Sequence, residues 1–474
     1  MLTQPWKWLA PVAVAVLAGC ATVPNDAGFG DVLRDVAART GQHVEWDCGT
    51  GPDVAVSQRV RSMLKGGIGA DEAVQVALLN NRNLQATYES LGVAQAQLVQ
   101  AGLLRNPVFD ADVKFLEGGG GTIVELAVVQ DFLDVLFIPV RQKVAKASLE
   151  AEKLRVTGAV LDLAGEVRRA FYDHAAAEQT LELRRTVTAA TEASYDLARR
   201  LRDAGNITAL DLANEQALHE SAKLELARAE SAVLETRERL NVLMGLWGQD
   251  TEWTLRPRLA DPPADELSTD DVERRAVESS LELATARQRV EAAGRTLGLN
   301  RSLALLPELQ AGAAAEKEPE GDWGIGPAVS LPIPLFDQGQ AKNAAAAAEL
   351  RRARRQYVAA AVEVRSAARL ARDRLIAARD RAAYVKQVLL PLRQEITRQS
   401  QLQYNAMLIG AFQLLQAKQA EVEAGVAYVD ALRDYWIAKS DFQQVQSGRT
   451  RGLGQSRAAT TDSTAPGSQR NGGH

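Results

Sequence analysis

Ala204-Gly205-Asn206-Ile207-Thr208-Ala209-Leu210-Asp211-Leu212-Ala213-Asn214-Glu215-Gln216 and Ala406-Met407-Leu408-Ile409-Gly410-Ala411-Phe412-Gln413-Leu414-Leu415-Gln416 are two versions of one passage, about 200 residues apart. Each is a turn followed by a helix start, and each joins two stretches of strong helix composition. Pro107, in Asn106-Pro107-Val108-Phe109, answers in the same way to Pro307, in Leu306-Pro307-Glu308-Leu309. The chain is therefore a duplication, with one copy over residues 70–245 and the other over residues 271–446. Each copy holds two strand-like segments and two very long helices, and that content constrains the fold more than any short motif.

From about Val140 to Leu201, Ala, Leu, Glu, Arg and Lys predominate and proline is absent. A helix of about 60 residues is about 90 Å long, far beyond an ordinary globular helix, so a coiled coil or a tube is the physical expectation. The composition predicts helices over 140–204 and 208–245 in the first copy and over 340–405 and 409–446 in the second. On the first return helix Leu210, Ala217 and Leu224 form one heptad seam, and His219, Leu226, Val233 and Leu240 a second. Two seams on one helix call for two neighbours. In the second copy Leu408, Leu415, Val422, Val429 and Trp436 keep strict seven-residue spacing. Small residues over Ala344 to Ala348 allow close approach, and Pro391 must kink or divide its helix, because it lacks a backbone donor and clashes with the preceding turn.

Residues 107–132 and 308–331 each carry a pair of strand-like segments. Phe109, Ala111, Val113 and Phe115 alternate with Asp110, Asp112 and Lys114, and a second apolar run follows the Gly118-Gly119-Gly120-Gly121 turn. Such alternation suits a membrane barrel strand, and equally a soluble two-faced sheet. Trp323 is accordingly either a membrane-interface anchor or a core residue. Four strands cannot close a barrel, and an open edge facing lipid leaves backbone groups unpaired, so strands in a membrane would require several chains.

Residues 1–19 have the form of a secretory signal: Lys7 precedes an apolar run that is too short to span a bilayer and ends in small residues. Leu17-Ala18-Gly19-Cys20 resembles a bacterial lipobox, which would make Cys20 the lipidated first residue of the mature chain. Residues 20–69 form a lead-in with one short helix expected over Gly30 to Arg39. Residues 246–270, rich in Trp, Pro, Gly and Asp, form an irregular connector. Residues 447–474 are expected to be disordered and to add nothing to the fold. The formal net charge of −5 and a charged fraction of 24% give no basic face for nucleic acid. With Cys20 acylated, only Cys48 remains, so the mature chain has no internal disulfide framework.

These features together resemble the TolC family of outer-membrane efflux proteins, and in particular its lipid-anchored efflux subunits. The supporting residues are Leu104-Arg105-Asn106-Pro107 before the first strand, Ala204-Gly205 followed by Leu210-Asp211-Leu212 at the first turn, and Ser330-Leu331-Pro332-Ile333-Pro334-Leu335-Phe336-Asp337-Gln338-Gly339 where the fourth strand enters a helix. The resemblance implies a mainly α fold with membrane β-strands. A homotrimer would form one twelve-stranded barrel in the outer membrane, continued by a periplasmic α-helical tunnel. It also implies passive conduction, with a periplasmic adaptor (a membrane fusion protein) and an inner-membrane pump of the RND type as partners, and no cofactor. By position in the family pattern Phe412, Gln416 and Asp211 belong to the periplasmic aperture, and Gly205, Asn206, Ile207, Met407, Leu408 and Ile409 to the helix turns that meet the adaptor. The chain departs from the family where Gln416 stands at a commonly acidic position and Met407 at a common glycine. Packing within the coiled coil is an equal use for Phe412. The segment from Asp71 to Arg105 is closest to metal- and drug-efflux relatives, so heavy-metal ions or drugs are the expected cargo. The alternatives are a channel for type I protein secretion and a non-channel coiled-coil lipoprotein or adaptor.

No catalytic constellation emerges. His174, mid-helix, lacks a second His one turn on. His43, Glu45, Asp47 and Cys48 could in principle hold a metal ion, but they lie in the lead-in. The glycine run lacks the lysine of a phosphate loop. Arg351-Arg352-Ala353-Arg354-Arg355 suits a solvated helix face.

Overall fold

The structure, a computed structural model, describes residues 22–24, 26–47, 53–115, 121–131, 134–256, 258–263, 270–305, 310–319, 321–330 and 335–450. The signal segment with Cys20, Cys48, Gly118 to Gly120, Leu306 to Leu309, Leu331 to Pro334 and residues 451–474 lie outside these described residues.

The elements run α1 (Phe29–Thr40), α2 (Asp53–Lys65), α3 (Ala70–Asn80), α4 (Arg82–Gly102), β1 (Val108–Phe115), β2 (Thr122–Asp131), α5 (Asp134–Asp203) and α6 (Ala209–Met244). Then follow α7 (Val272–Ser279), α8 (Leu281–Leu305), β3 (Gln310–Lys317), β4 (Trp323–Ser330), α9 (Gln340–Tyr384), a π-helical turn (Val385–Leu389), α10 (Leu390–Asn405) and α11 (Ala411–Gln446). The lead-in holds two helices rather than the single one expected. The first long helix starts at Asp134, six residues before the expected Val140, and takes Pro139 into its second turn. It runs for 70 residues without a break, about 105 Å.

The chain divides into two compact units. One contains the sheet, in which β1, β2, β3 and β4 pair in sequence order, every pair antiparallel. The central pairing, β2 with β3, joins the two copies. Both outer strands, β1 and β4, are edges within this chain.

The other unit contains the paired long helices. Val187 of α5, Ala222 of α6 and Val422 of α11 meet in one buried cluster with Leu183 against it, so the two hairpins pack side by side. The buried positions on α6 differ in part from the expected seams. Leu240 is fully buried, but Leu210 and Leu224 are exposed, and Glu215, Ala222 and Ala229 are buried at seven-residue spacing instead. Alanine at two of these positions lets the backbones approach, which the larger leucines would prevent; Leu210 and Leu224 are left on an uncovered face. On α11 the seam is half-buried or buried from Leu415 onward, whereas Leu408 belongs to the turn and is exposed.

The duplication is plainest where each return helix ends. Helix α3 breaks at Asn81 (φ −70°, ψ 113°), and α7 breaks at Ser280 (φ −60°, ψ 119°). Opposite each break is a glycine in the left-handed region, Gly245 (φ 68°) or Gly448 (φ 92°). A Cβ on Gly245 would lie 2.7 Å from the Asn80 carbonyl oxygen, and one on Gly448 would lie 2.0 Å from that of Ser279. Glycine is thus required twice over at both places, by dihedral and by space. Asn81 Nδ2 donates to Leu243 O at 2.8 Å in the first joint, and Leu281 N donates to Gly448 O at 2.9 Å in the second.

The second joint corrects the expectation for the start of the tail. Arg449 Nε donates to Asp162 Oδ1 at 2.7 Å and its Nη1 to Glu282 Oε1 at 3.1 Å, while Arg39 Nη1 donates to the carbonyls of Ser279 and Ser447, each at 2.8 Å. Residues 447–450 therefore take part in the fold, and the rest of the expected tail lies outside the described residues.

Candidate functional site: the sheet faces and the two helical turns

Residues directly opposite each other in an antiparallel pair share a face. The register therefore places Phe109, Ala111, Val113 and Phe115 with Val128, Leu126, Val124 and Thr122, and continues through Ala311, Ala313 and Ala315 to Val329, Pro327, Ile325 and Trp323. That face is apolar except for Thr122 and the end residues Gln130 and Lys317. The other carries Asp110, Asp112, Lys114, Glu125 and Glu316 among small residues and the apolar Val108, Ile123 and Val129. Lys114 Nζ donates to Glu125 Oε1 at 2.6 Å and lies 3.6 Å from Asp112. Among the described residues nothing covers either face: Phe115 is 80% exposed, and Phe109, Ile325 and Val329 are similarly open. Trp323 is also exposed, with Lys317 Nζ 6.0 Å from its ring centroid, so it is not a core residue of this chain. A sheet with an uncovered apolar face, a charged opposite face and two open edges is unstable alone in water. It suits a barrel with lipid outside and water inside, completed by other chains.

The two turns lie in the helical unit and share one backbone design. In the first, Gly205 N donates to Arg202 O (2.9 Å) and Asn206 N to Leu201 O (2.8 Å). In the second, Met407 N donates to Tyr404 O (2.9 Å) and Leu408 N to Gln403 O (2.9 Å). These are two Schellman-type endings with the left-handed residue at Gly205 (φ 74°) and at Met407 (φ 59°). The residue that departs from the family pattern thus still adopts the glycine conformation, at a strain of about 1–2 kcal/mol. Met407 is 93% exposed and Leu408 is 75% exposed. Gly205 and Asn206 are exposed, and Ile207 and Ile409 half-buried.

The next helix starts differently in each copy. Thr208 N donates to Asp211 Oδ2 at 3.0 Å and Thr208 Oγ1 to the same oxygen at 2.7 Å, while Asp211 N donates to Thr208 Oγ1 at 3.1 Å. The side-chain and backbone bonds from Thr208 hold the Asp211 carboxyl below the usual carboxylate range. This capping box was legible as Thr208-x-x-Asp211, a Ser/Thr-x-x-acid pattern. In the second copy Gly410 N donates to Gln413 Oε1 at 3.0 Å, half of the same device. Asp211 and Gln413 are therefore equivalent positions. Phe412 lies half-buried one turn before the exposed Gln416 on α11.

His174 is fully buried. Its Nδ1 lies 3.0 Å from Thr236 Oγ1, its ring meets Trp253 edge-on with centroids 5.4 Å apart, and burial followed by the Arg237 charge pulls its pKa down to about 4. It is a neutral core histidine. In the lead-in, Glu45 pairs with Arg59 at 2.7 Å and Asp47 lies 4.0 Å from Arg82, so both carboxylates face arginine rather than a metal site. Among the described residues no group of three or more His, Cys, Asp or Glu could hold a metal ion. Of the arginine run, Arg351, Arg352, Arg354 and Arg355 are exposed, and Arg352 pairs with Glu349.

Residues 139–246, most of the first helical hairpin, match the family described as outer membrane efflux protein. The cobalt-zinc-cadmium resistance protein CzcC of Cupriavidus metallidurans is 21% identical over 394 residues, covering 80% of this chain and 90% of that relative. The chain is similar in sequence to outer membrane efflux proteins. Solved structures carry the same fold. A membrane protein from Pseudomonas aeruginosa superposes with a TM-score of 0.66 at 20% identity, covering 80% of this chain and 93% of the other. The Campylobacter jejuni CmeC outer membrane channel gives 0.64 at 16% identity, covering 80% and 85%. The family resemblance drawn from the duplicated turns and strand pairs is thereby met in sequence and in fold.

Proposed function

We propose that this protein is the outer-membrane channel subunit of a tripartite efflux system and that it conducts divalent metal ions passively to the exterior. The observation that carries the channel reading is the two-faced sheet, with both edges open and both faces uncovered. Three protomers supply twelve strands, so that β1 of one chain meets β4 of the next and no edge faces lipid. The apolar face then meets hydrocarbon, and Asp110, Asp112, Glu125 and Glu316 line a polar lumen that favours cations. The cargo assignment follows from the cobalt-zinc-cadmium resistance relative. The chain acts as a conduit and not as an enzyme.

In this reading residues 70–245 and 271–446 are the two channel repeats, and Cys20 carries the lipid anchor. The turns at Gly205, Asn206 and Ile207 and at Met407, Leu408 and Ile409 meet a periplasmic adaptor, through which an RND-type inner-membrane pump delivers cargo. The open Met407 and Leu408 side chains support the second turn as the more apolar contact. Phe412 and Gln416 narrow the inner aperture, with Asp211 adding an ionised carboxylate nearby that its own helix cap already holds in place.

A deletion strain tested against cobalt, zinc, cadmium, copper and hydrophobic drugs decides the cargo. Hypersensitivity to the divalent metals, restored by the full chain, is the expected result. Sensitivity to drugs alone would overturn the metal assignment. Recovery of the protein as a soluble monomer after Cys20→Ala, without heat-modifiable trimers in outer-membrane fractions, would overturn the channel. At the aperture, Phe412→Ala is expected to raise single-channel conductance in planar bilayers, and an unchanged conductance would remove Phe412 from the aperture.

A further inference from the structure

The connector between the copies is tied to both hairpins in the helical unit. Arg258 pairs with Glu182 on α5. Two residues later, Trp436 Nε1 on α11 donates to the Ala260 carbonyl at 2.8 Å. Asp261 then accepts from Lys386 Nζ and from the Tyr428 hydroxyl. Trp436 is held in turn by Tyr172, stacked at 5.7 Å, and by the Lys439 ammonium 4.6 Å from its ring. Residues 258–261 thus form a strap across α5, the second long helix and α11.

The strap grips the second long helix at its π turn. Lys386 lies inside the π turn Val385–Leu389, and Pro391 follows two residues after it. A π turn loosens the regular ladder, and the proline withholds a further backbone donor, so two defects fall within seven residues. The residues 202 positions earlier, Leu183 to Val187, lie in the uninterrupted α5. Only the second hairpin has a pivot, and the polar anchor of the strap sits on it.

We propose that the strap is a brake: Asp261 restrains bending of the second hairpin at the π turn, and its release favours the open channel. The proposal rests on the channel reading above. The two Asp261 contacts are solvent-exposed, which makes them weak enough to be broken during a working cycle while still biasing it. Bending at the pivot would move Phe412 and the second turn relative to the first hairpin, whose helix has no such pivot.

The test uses the full-length trimer in detergent and in planar bilayers, with Asp261→Asn, Lys386→Met and Tyr428→Phe. Amides over residues 384–392 are expected to exchange about fivefold faster in Asp261→Asn, with the first-turn amides 205–212 unchanged. Channel opening should rise by a similar factor, and the charge swap Asp261→Lys with Lys386→Asp should restore both. Exchange that rises without any change in opening would overturn the brake, as would unchanged exchange in all three variants. A trimer that conducts in none of its forms, wild type included, would count against the channel reading instead, because the exchange experiment does not depend on conduction.

Discussion

The two helical turns have the same backbone and different side chains, whereas the two long helices leading into them have similar composition and different backbones. Both turns close with the same hydrogen bonds and the same left-handed residue, although one is glycine and the other is Met407. A turn geometry set by the hairpin tolerates a strained residue, because the helices on each side supply far more contact than the strain removes. The long helices show the converse. Alanine- and arginine-rich helix formers fill both, yet α5 runs unbroken and its counterpart divides at the π turn before Pro391. Pro391, deep in the second long helix, accompanies a divided backbone, whereas Pro139, in the second turn of α5, leaves that helix unbroken.

The equivalence of the copies is most easily broken at the joints. Gly448→Ala places a Cβ in the left-handed region and against the Ser279 carbonyl, and should destabilise the protein by about 4 kcal/mol. Gly245→Ala meets its carbonyl less closely and should cost less. Thermal unfolding of the purified protein measures both, and a neutral Gly448→Ala would show that the two joints are not alike.

Acid should act on one buried histidine that only the first copy carries. His174 is buried and neutral, and the position 202 residues later is Ile376. Its pKa falls from 6.5 to about 4 on folding, so the unfolded chain binds the extra proton. Stability contributed by the neutral ring is complete above pH 6.5 and is lost as the pH falls toward 4, up to about 3 kcal/mol. Unfolding followed across that window should show this loss in the wild type, with a clearly flatter profile in His174→Leu. The same slope in both proteins would exclude His174 as its source.

What the sequence made legible was what depends on local pattern. The strand pairs appear as alternation around Phe109 and Ile325, and the turns as the repeated passages at Gly205 and Met407. The second lead-in helix, the small buried seam at Glu215, Ala222 and Ala229, and the joints were not legible in the same way. Arg449 meets Asp162 across 287 residues, and Gly245 meets Asn80 across 165, so neither has a neighbour in sequence to signal its role. Pro391 announced a break, but its form as a π turn gripped by Asp261 depends on a connector 125 residues earlier. At the candidate aperture, Asp211 was named through the family pattern alone; its capping bond to Thr208 was not read from the sequence, although the Thr208-x-x-Asp211 spacing carries it. Its equivalence to Gln413 follows from the paired passages, and the two caps agree with it.

The turns themselves give a smaller effect. Met407→Gly removes left-handed strain and should stabilise the chain by about 1 kcal/mol, and Gly205→Met should cost a similar amount. If Met407 serves adaptor contact, Met407→Gly will lower efflux in cells even as it raises the melting temperature. A rise in both would confine Met407 to the turn.

The smallest effect is expected at Asp211, and it separates the two uses of that residue. Asp211→Asn keeps an acceptor for the Thr208 donors but removes the charge, so the capping box should loosen slightly and the amides of Asp211 and Leu212 should exchange somewhat faster. Gln413→Ala tests the neutral half-box of the second copy in the same way. Because Thr208 holds the Asp211 carboxyl below its usual range, the ionised cap persists as the pH falls and fails only below the ordinary carboxylate range. A capping role alone therefore predicts faster exchange with unchanged cation selectivity in bilayers. An aperture role predicts that selectivity falls in Asp211→Asn and stays unchanged in Gln413→Ala, since only the first copy brings a charge to its turn.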